Sequence, residues 1–205
     1  MLSGVTTSLI NWQSSKDGAA LFELQQAYLR HLIQLYSPDR ILQISGKPYL
    51  VHREVFHYVL MQERDEYINA PVPTLQSDIS GSLPFRDETF KMIVLAHSHE
   101  RSDQTAHLIK EVERVLLPEG HAVFFGISQT SLWSLARIFK LFYMPCCDRI
   151  YSDFALKSLI KQMGLECILS PDLQQPYRFN VVQNAFNVVV AKKSVTGWVF
   201  GMPLL

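Results

Sequence analysis

The run His97-Ser98-His99-Glu100, with His107 nearby, gathers imidazole and carboxylate side chains in a short stretch. Groups of this kind could hold a metal ion or move a proton. A zinc site needs three or four ligands that converge. Histidines two apart on a chain just leaving a strand point to opposite sides while it stays extended. The run therefore predicts no metal site. Cysteine offers the other reactive side chain. Cys146 and Cys147 are adjacent and Cys167 stands apart. Three cysteines so placed make no disulfide framework, and reduced packing thiols in a cytoplasmic protein are expected.

Side chains that do chemistry need a scaffold, and the composition supplies one. The chain has 205 residues, 48% hydrophobic and 19% charged, which suits one folded domain and excludes a disordered polymer. Nineteen basic residues balance nineteen acidic ones. A protein that grips phosphate backbones carries a basic excess or stripe, so no nucleic-acid partner is expected. Met1 to Trp12 has no Lys or Arg ahead of an apolar run, unlike a secretory signal. The longest apolar stretch, Leu132 to Met144, is interrupted by Arg137 and Lys140. It falls short of the ~18 consecutive apolar residues of a spanning helix, so no transmembrane segment is expected.

The elements follow from hydrophobic periodicity. From Asp17, the stripe Leu21, Leu24, Tyr28, Leu32 and Leu35 predicts a helix ended by Ser37-Pro38. Short apolar runs predict strands at Arg40–Ile44, Tyr58–Met61, Pro73–Gln76 and Lys91–Ala96. Ser102 is expected to cap a helix carrying Leu108, Val112, Val115 and Leu116, closed by Pro118-Glu119-Gly120. A fifth strand follows at His121–Ile127, then an apolar helix from Leu132 to about Tyr143. Ser152 caps a further helix with Leu156, Leu159, Ile160 and Met163 on its face and Gly164 at its end. Leu165–Leu169 and Phe186–Ala191 complete seven strands. Strands alternating with helices predict an α/β sandwich, a mostly parallel sheet with helices on both faces. The last two strands have no helix between them and should form an antiparallel edge hairpin. One domain is expected over 1–205: a helical segment at 1–39, a core at 40–193 and an apolar tail at 194–205.

Two segments carry a family resemblance. Leu83-Pro84-Phe85-Arg86-Asp87-Glu88-Thr89-Phe90 resembles the "LPF-x-D-x-S-F-D" run of class I S-adenosylmethionine methyltransferases. Ile109 to Gly120 resembles their "E-x-x-R-V-L-K-P-G-G" helix and turn. The methyltransferase type 11 group is most similar, and within it a bacterial subgroup. Its "L-P-H-T-L-E", "R-V-L-I-P-E-G-H" and "S-L-W-G-L" appear here as Leu95 to Glu100, Arg114 to His121 and Ser131 to Leu135. The resemblance covers about Ile41 to Lys193.

The resemblance implies a Rossmann-like methyltransferase sandwich that binds S-adenosylmethionine and a small-molecule substrate. Ligand then lies beyond the carboxyl ends of the strands, where strand order reverses between the first and fourth. That implies cofactor contacts at Ser45 and Gly46 and at Ala96 and His97. The family's first loop reads acid-x-G-x-G-x-G; here Gln43 replaces the acid and Lys47, Pro48 and Tyr49 fill the loop. Both a degenerate cofactor loop and a plain turn fit that segment. Glu63 stands where the family's ribose-binding acid stands, or is one more charge in Glu63-Arg64-Asp65-Glu66. Asp78 matches the acid that accepts from the adenine amino group, with Ile79 packing on the ring. As an alternative, it forms a turn before Ser80-Gly81. His97 is the candidate catalytic residue, a base taking a proton from the methyl acceptor, or else a histidine bonded to backbone. The apolar helix at 132–143 would cover the substrate chamber or form a homodimer contact. The rival to an enzyme is a binding or scaffolding protein that kept this fold without the activity.

Overall fold

A computed structural model describes residues 16–45, 56–61, 72–129, 149–168 and 186–194. The first-loop residues Gly46 to Tyr49, Glu63, the helix expected at 132–143, Cys146 and Cys147 and the tail from 195 onwards lie outside the described residues.

Helix α1 spans Lys16–Tyr36. It buries Leu21, Leu29, Leu32 and Ile33 at helical spacing, with Leu24 and Tyr28 packed beside them. The buried stripe lies slightly further round the helix than expected. Leu35 is half exposed, and Leu29 and Ile33 take the inner positions. Gln25 sits between Leu21 and Leu29 on the same buried face.

The strands are β1 (Arg40–Ile44), β2 (Phe56–Met61), β3 (Thr74–Gln76), β4 (Phe90–Ala96), β5 (Leu116–Ile127), β6 (Glu166–Cys167) and β7 (Phe186–Lys192). They form one seven-stranded sheet in the order β3-β2-β1-β4-β5-β7-β6. Pairing is parallel from β3 to β5 and antiparallel at β5–β7 and β6–β7, as the pattern predicted. Alternation along β4 divides the core. Met92, Val94 and Ala96 pack towards α1, and Ile93 and Leu95 pack on the opposite face. That opposite face is covered by α3 (Thr105–Val115) and α4 (Asp153–Gln162), while the short α2 (Ser98–Arg101) follows β4 directly.

Two boundaries differ from expectation for local reasons. Ser102 does not cap α3; its hydroxyl accepts from the Gln104 N–H at 3.1 Å, and Gln104 occupies the cap position. Leu116 leaves the helix for β5, where it pairs with Phe90. The next β4–β5 pair is Met92 with His121, so Leu117 to Gly120 bulge out of the ladder and do not end the helix. A Cβ at Gly120 would stand 2.7 Å from the Leu117 carbonyl, which is why the bulge closes on glycine. Ser152 caps α4 as predicted, its hydroxyl accepting from the Ala155 N–H at 3.1 Å, and Gly164 ends it at φ +96°.

Candidate functional site at the strand reversal

β1 and β4 are neighbours, with β2 on one side and β5 on the other, so strand order reverses between them. The crevice beyond their carboxyl ends is where this architecture accepts ligands. Ser45, Ala96 and His97 meet there. Ser45 is buried and extends β1 by donating its N–H to the Leu60 carbonyl at 3.1 Å. The next turn is tied across the reversal, because the Ser98 hydroxyl donates to the Ile44 carbonyl at 2.5 Å. Beneath Ser45, the fully buried Gln43 donates its amide to the Ser45 hydroxyl at 2.8 Å. The amide is thus partnered within its own strand end.

His97 turns the chain. Its backbone is left-handed, φ 61° and ψ 2°, a conformation uncommon for a residue with a side chain. Its N–H still bonds to the Phe125 carbonyl of β5 at 2.9 Å. The side chain is 2% exposed, and both ring nitrogens are engaged. Nδ1 lies 2.9 Å from Glu100 Oε2, and Nε2 lies 3.2 Å from the Gln25 amide nitrogen. Glu100, 1% exposed, accepts at Oε1 from the Ile127 N–H of β5 at 2.7 Å. With Glu100 ionised it can only accept, which puts the proton on Nδ1 and the Gln25 amide hydrogen on Nε2. Among the described residues, Glu100 and Gln25 engage the two ring nitrogens of the candidate base His97. The pairing that looked like fragments of a metal site is a carboxylate–imidazole bond. Among the described residues no cluster of three or more metal-binding side chains forms.

His99 points the other way, against Phe124 and Tyr151 on the opposite face. It is wholly buried, and neither ring nitrogen has a hydrogen-bond partner among the described residues. Burial pushes its imidazole down to about 4, so it is neutral.

The loop after β3 brings Asp78 to the surface, where Oδ1 accepts from the Ser80 N–H at 2.8 Å in a tight turn. Ile79 beside it is buried in the core. This loop runs into Leu83-Pro84-Phe85, which α3 grips. Glu111 Oε2 accepts from the Leu83 N–H at 2.8 Å. Arg114 donates to Glu111 at 2.7 and 3.0 Å, to the Leu83 carbonyl at 3.1 Å, to the Phe85 carbonyl at 3.0 Å and to Asp87 at 2.6 Å. The Arg114 hydrogen bond holds the Glu111 carboxyl below its usual range. The acid and arginine shared with the family motif are thus a clamp that fixes the segment following Asp78. Sequence reasoning found the motif but not its work. It missed Gln25 altogether, although a polar residue on the buried stripe of α1 was a visible signal.

Residues 46–124 match the family model described as a methyltransferase domain. No curated protein matches the chain. Solved structures do. A SAM-dependent methyltransferase of Thermotoga maritima is 14% identical, with 92% of this chain and 95% of that chain covered and a TM-score of 0.67. One from Archaeoglobus fulgidus is 19% identical, covering 89% and 96%, with a TM-score of 0.63. The [4+2]-cyclase SpnF is also similar, at 14% identity, 83% and 81% coverage and a TM-score of 0.58. The strand order and these likenesses show that the chain has the fold of S-adenosylmethionine-dependent methyltransferases.

Proposed function

We propose that the chain binds S-adenosylmethionine and transfers its methyl group to a small molecule. The observation that carries this reading is Asp78: an exposed carboxylate held at the end of β3, beside a sheet whose order reverses at β1 and β4. One of its oxygens serves the turn, and a carboxylate has lone pairs left for an adenine amino group. The residues therefore fit a nucleoside at this end of the sheet. Ser45, Gly46, Ala96 and His97 are assigned to the sulfonium end and Glu63 to the ribose hydroxyls; Ile79, buried in the core, anchors the turn that carries Asp78 and presents no face to the ring. When bound, the cofactor supplies an activated methyl carbon open to in-line displacement. The work left to the protein is alignment and exclusion of water. The buried polar residues at the reversal suit that task, because they are already hydrogen bonded.

A second reading rests on Gln43. With an amide where the family has an acid, the first loop loses a charged acceptor, and a binding module without methyl transfer fits that change. SpnF has the same fold and is a cyclase, so architecture alone does not fix the reaction. Isothermal titration with S-adenosylmethionine and S-adenosylhomocysteine up to millimolar concentration tests the proposal. Saturable heat is expected with both; no heat and no thermal shift would end it. A bound cofactor that is never turned over by any acceptor in a radiolabel transfer screen would favour the binding module.

A further inference from the structure

The buried polar bridge at the strand reversal is built from three elements that share no sequence neighbourhood. Gln25 comes from α1, His97 and Glu100 from the turn after β4, and the Ile127 N–H from the end of β5. With Glu100 ionised, the Gln25 amide donates to Nε2, Nδ1–H donates to Glu100, and the Ile127 N–H donates to the same carboxylate. We propose that His97 is a positioning residue and that helix α1, through Gln25, belongs to the binding machinery of the site. This rests on the cofactor reading given above.

Three observations support the inference. The His97 backbone is left-handed, which costs free energy for any residue but glycine and persists where surroundings hold it. Its surroundings hold it from two sides, at 2.9 Å by Glu100 and at 3.2 Å by Gln25. Gln25 occupies a position between Leu21 and Leu29 that packing alone would give to an apolar side chain. Its Oε1 has no partner among the described residues, so the amide is retained at a cost. A buried polar residue kept under those terms fits a role in specifying geometry. The geometry it specifies is the turn at 97–98, where Ser98 also reaches across to Ile44.

Gln25→Leu tests the proposal, because leucine fits the stripe and removes only the donor. Two readouts are needed. In protein labelled with 15N-histidine, the parent should show His97 as the Nδ1–H tautomer. Affinity for S-adenosylhomocysteine, measured by titration well below the unfolding temperature, should fall about tenfold in Gln25→Leu. Glu100→Gln offers an amide hydrogen to Nδ1 and should switch His97 to the Nε2–H tautomer. A merely structural role would lower the unfolding temperature of Gln25→Leu and leave its affinity unchanged. Affinity within twofold of the parent, or a parent His97 protonated on Nε2, overturns the inference while cofactor binding stands. A parent that binds neither S-adenosylmethionine nor S-adenosylhomocysteine overturns the cofactor reading, and the inference with it.

Discussion

At Asp78 one substitution separates two roles. The turn needs a side-chain acceptor for the Ser80 N–H, and asparagine supplies one. A nucleoside amino group needs a further acceptor, and asparagine would present its own N–H₂ there. Asp78→Asn should therefore keep the unfolding midpoint and lose about 1.5–3 kcal/mol of cofactor affinity, the scale of a hydrogen bond to a charged group. Equal titration curves for parent and Asp78→Asn would leave Asp78 with the turn alone. Gly126 makes a different point at the same scale. A Cβ there would stand 3.0 Å from Glu100 Oε1 and 3.2 Å from His99 Nε2. Both neighbours are buried and Glu100 is hydrogen bonded, so neither can move aside freely. Gly126→Ala should destabilise the fold by roughly 1–3 kcal/mol, as overpacking of a dense interior does. Urea unfolding measures it, and an unchanged midpoint would mean that the pair yields.

Among elements, α3 matters most for the loop that carries Asp78. Arg114 closes five hydrogen bonds between α3 and the segment from Leu83 to Asp87 and within α3 itself. Its partners include the buried end of Glu111, so Arg114→Met should leave that carboxylate with the Leu83 N–H and little else. About 2–3 kcal/mol of stability should be lost, discounted from a fully buried pair because the guanidinium is 29% exposed. Amide exchange should accelerate first around Leu83 to Asp87; uniform acceleration across the sheet would show that no local clamp exists. The sequence announced these elements well, since strands and helices here are set by local periodicity. β1 is legible to the residue, and the antiparallel edge follows from the missing helix between the last two strands. The bridge of Gln25, His97 and Glu100 was not legible. Its members meet only after α1 packs on the sheet, and His97 carries no glycine to advertise a left-handed turn. Glu111 and Arg114 are legible as a motif, but what they grip lies 27 to 31 residues away.

The molecule as a whole should respond to acid through its buried histidines. His99 is fully buried and neutral, with its folded value near 4 against an ordinary 6.5, chiefly because burial penalises the charged form. His121, stacked on Tyr36 at 3.8 Å, is lowered to about 4 by burial and by Lys192 and Lys91. Both values are depressed by folding, so the unfolded chain binds more protons between pH 6.5 and 4. Stability is then fully present above about 6.5 and falls as the pH drops towards 4. For His99 the loss approaches the order of 3 kcal/mol at the lower limit. His121 adds to the same window, less strongly because it is partly exposed. Glu111 acts at lower pH: its depressed carboxyl contributes in full above the usual carboxylate range, and that contribution is lost as the pH falls through that range towards the lowered folded value. Because His99 has no hydrogen-bond partner among the described residues, replacing it with an apolar side chain removes a buried, unsatisfied group. His99→Leu should equal or exceed the parent in stability at pH 7 and lose much of the decline between pH 6.5 and 4.5. Urea unfolding at pH 7, 5.5 and 4.5 decides it. Parallel declines in parent and variant would move the acid sensitivity away from His99.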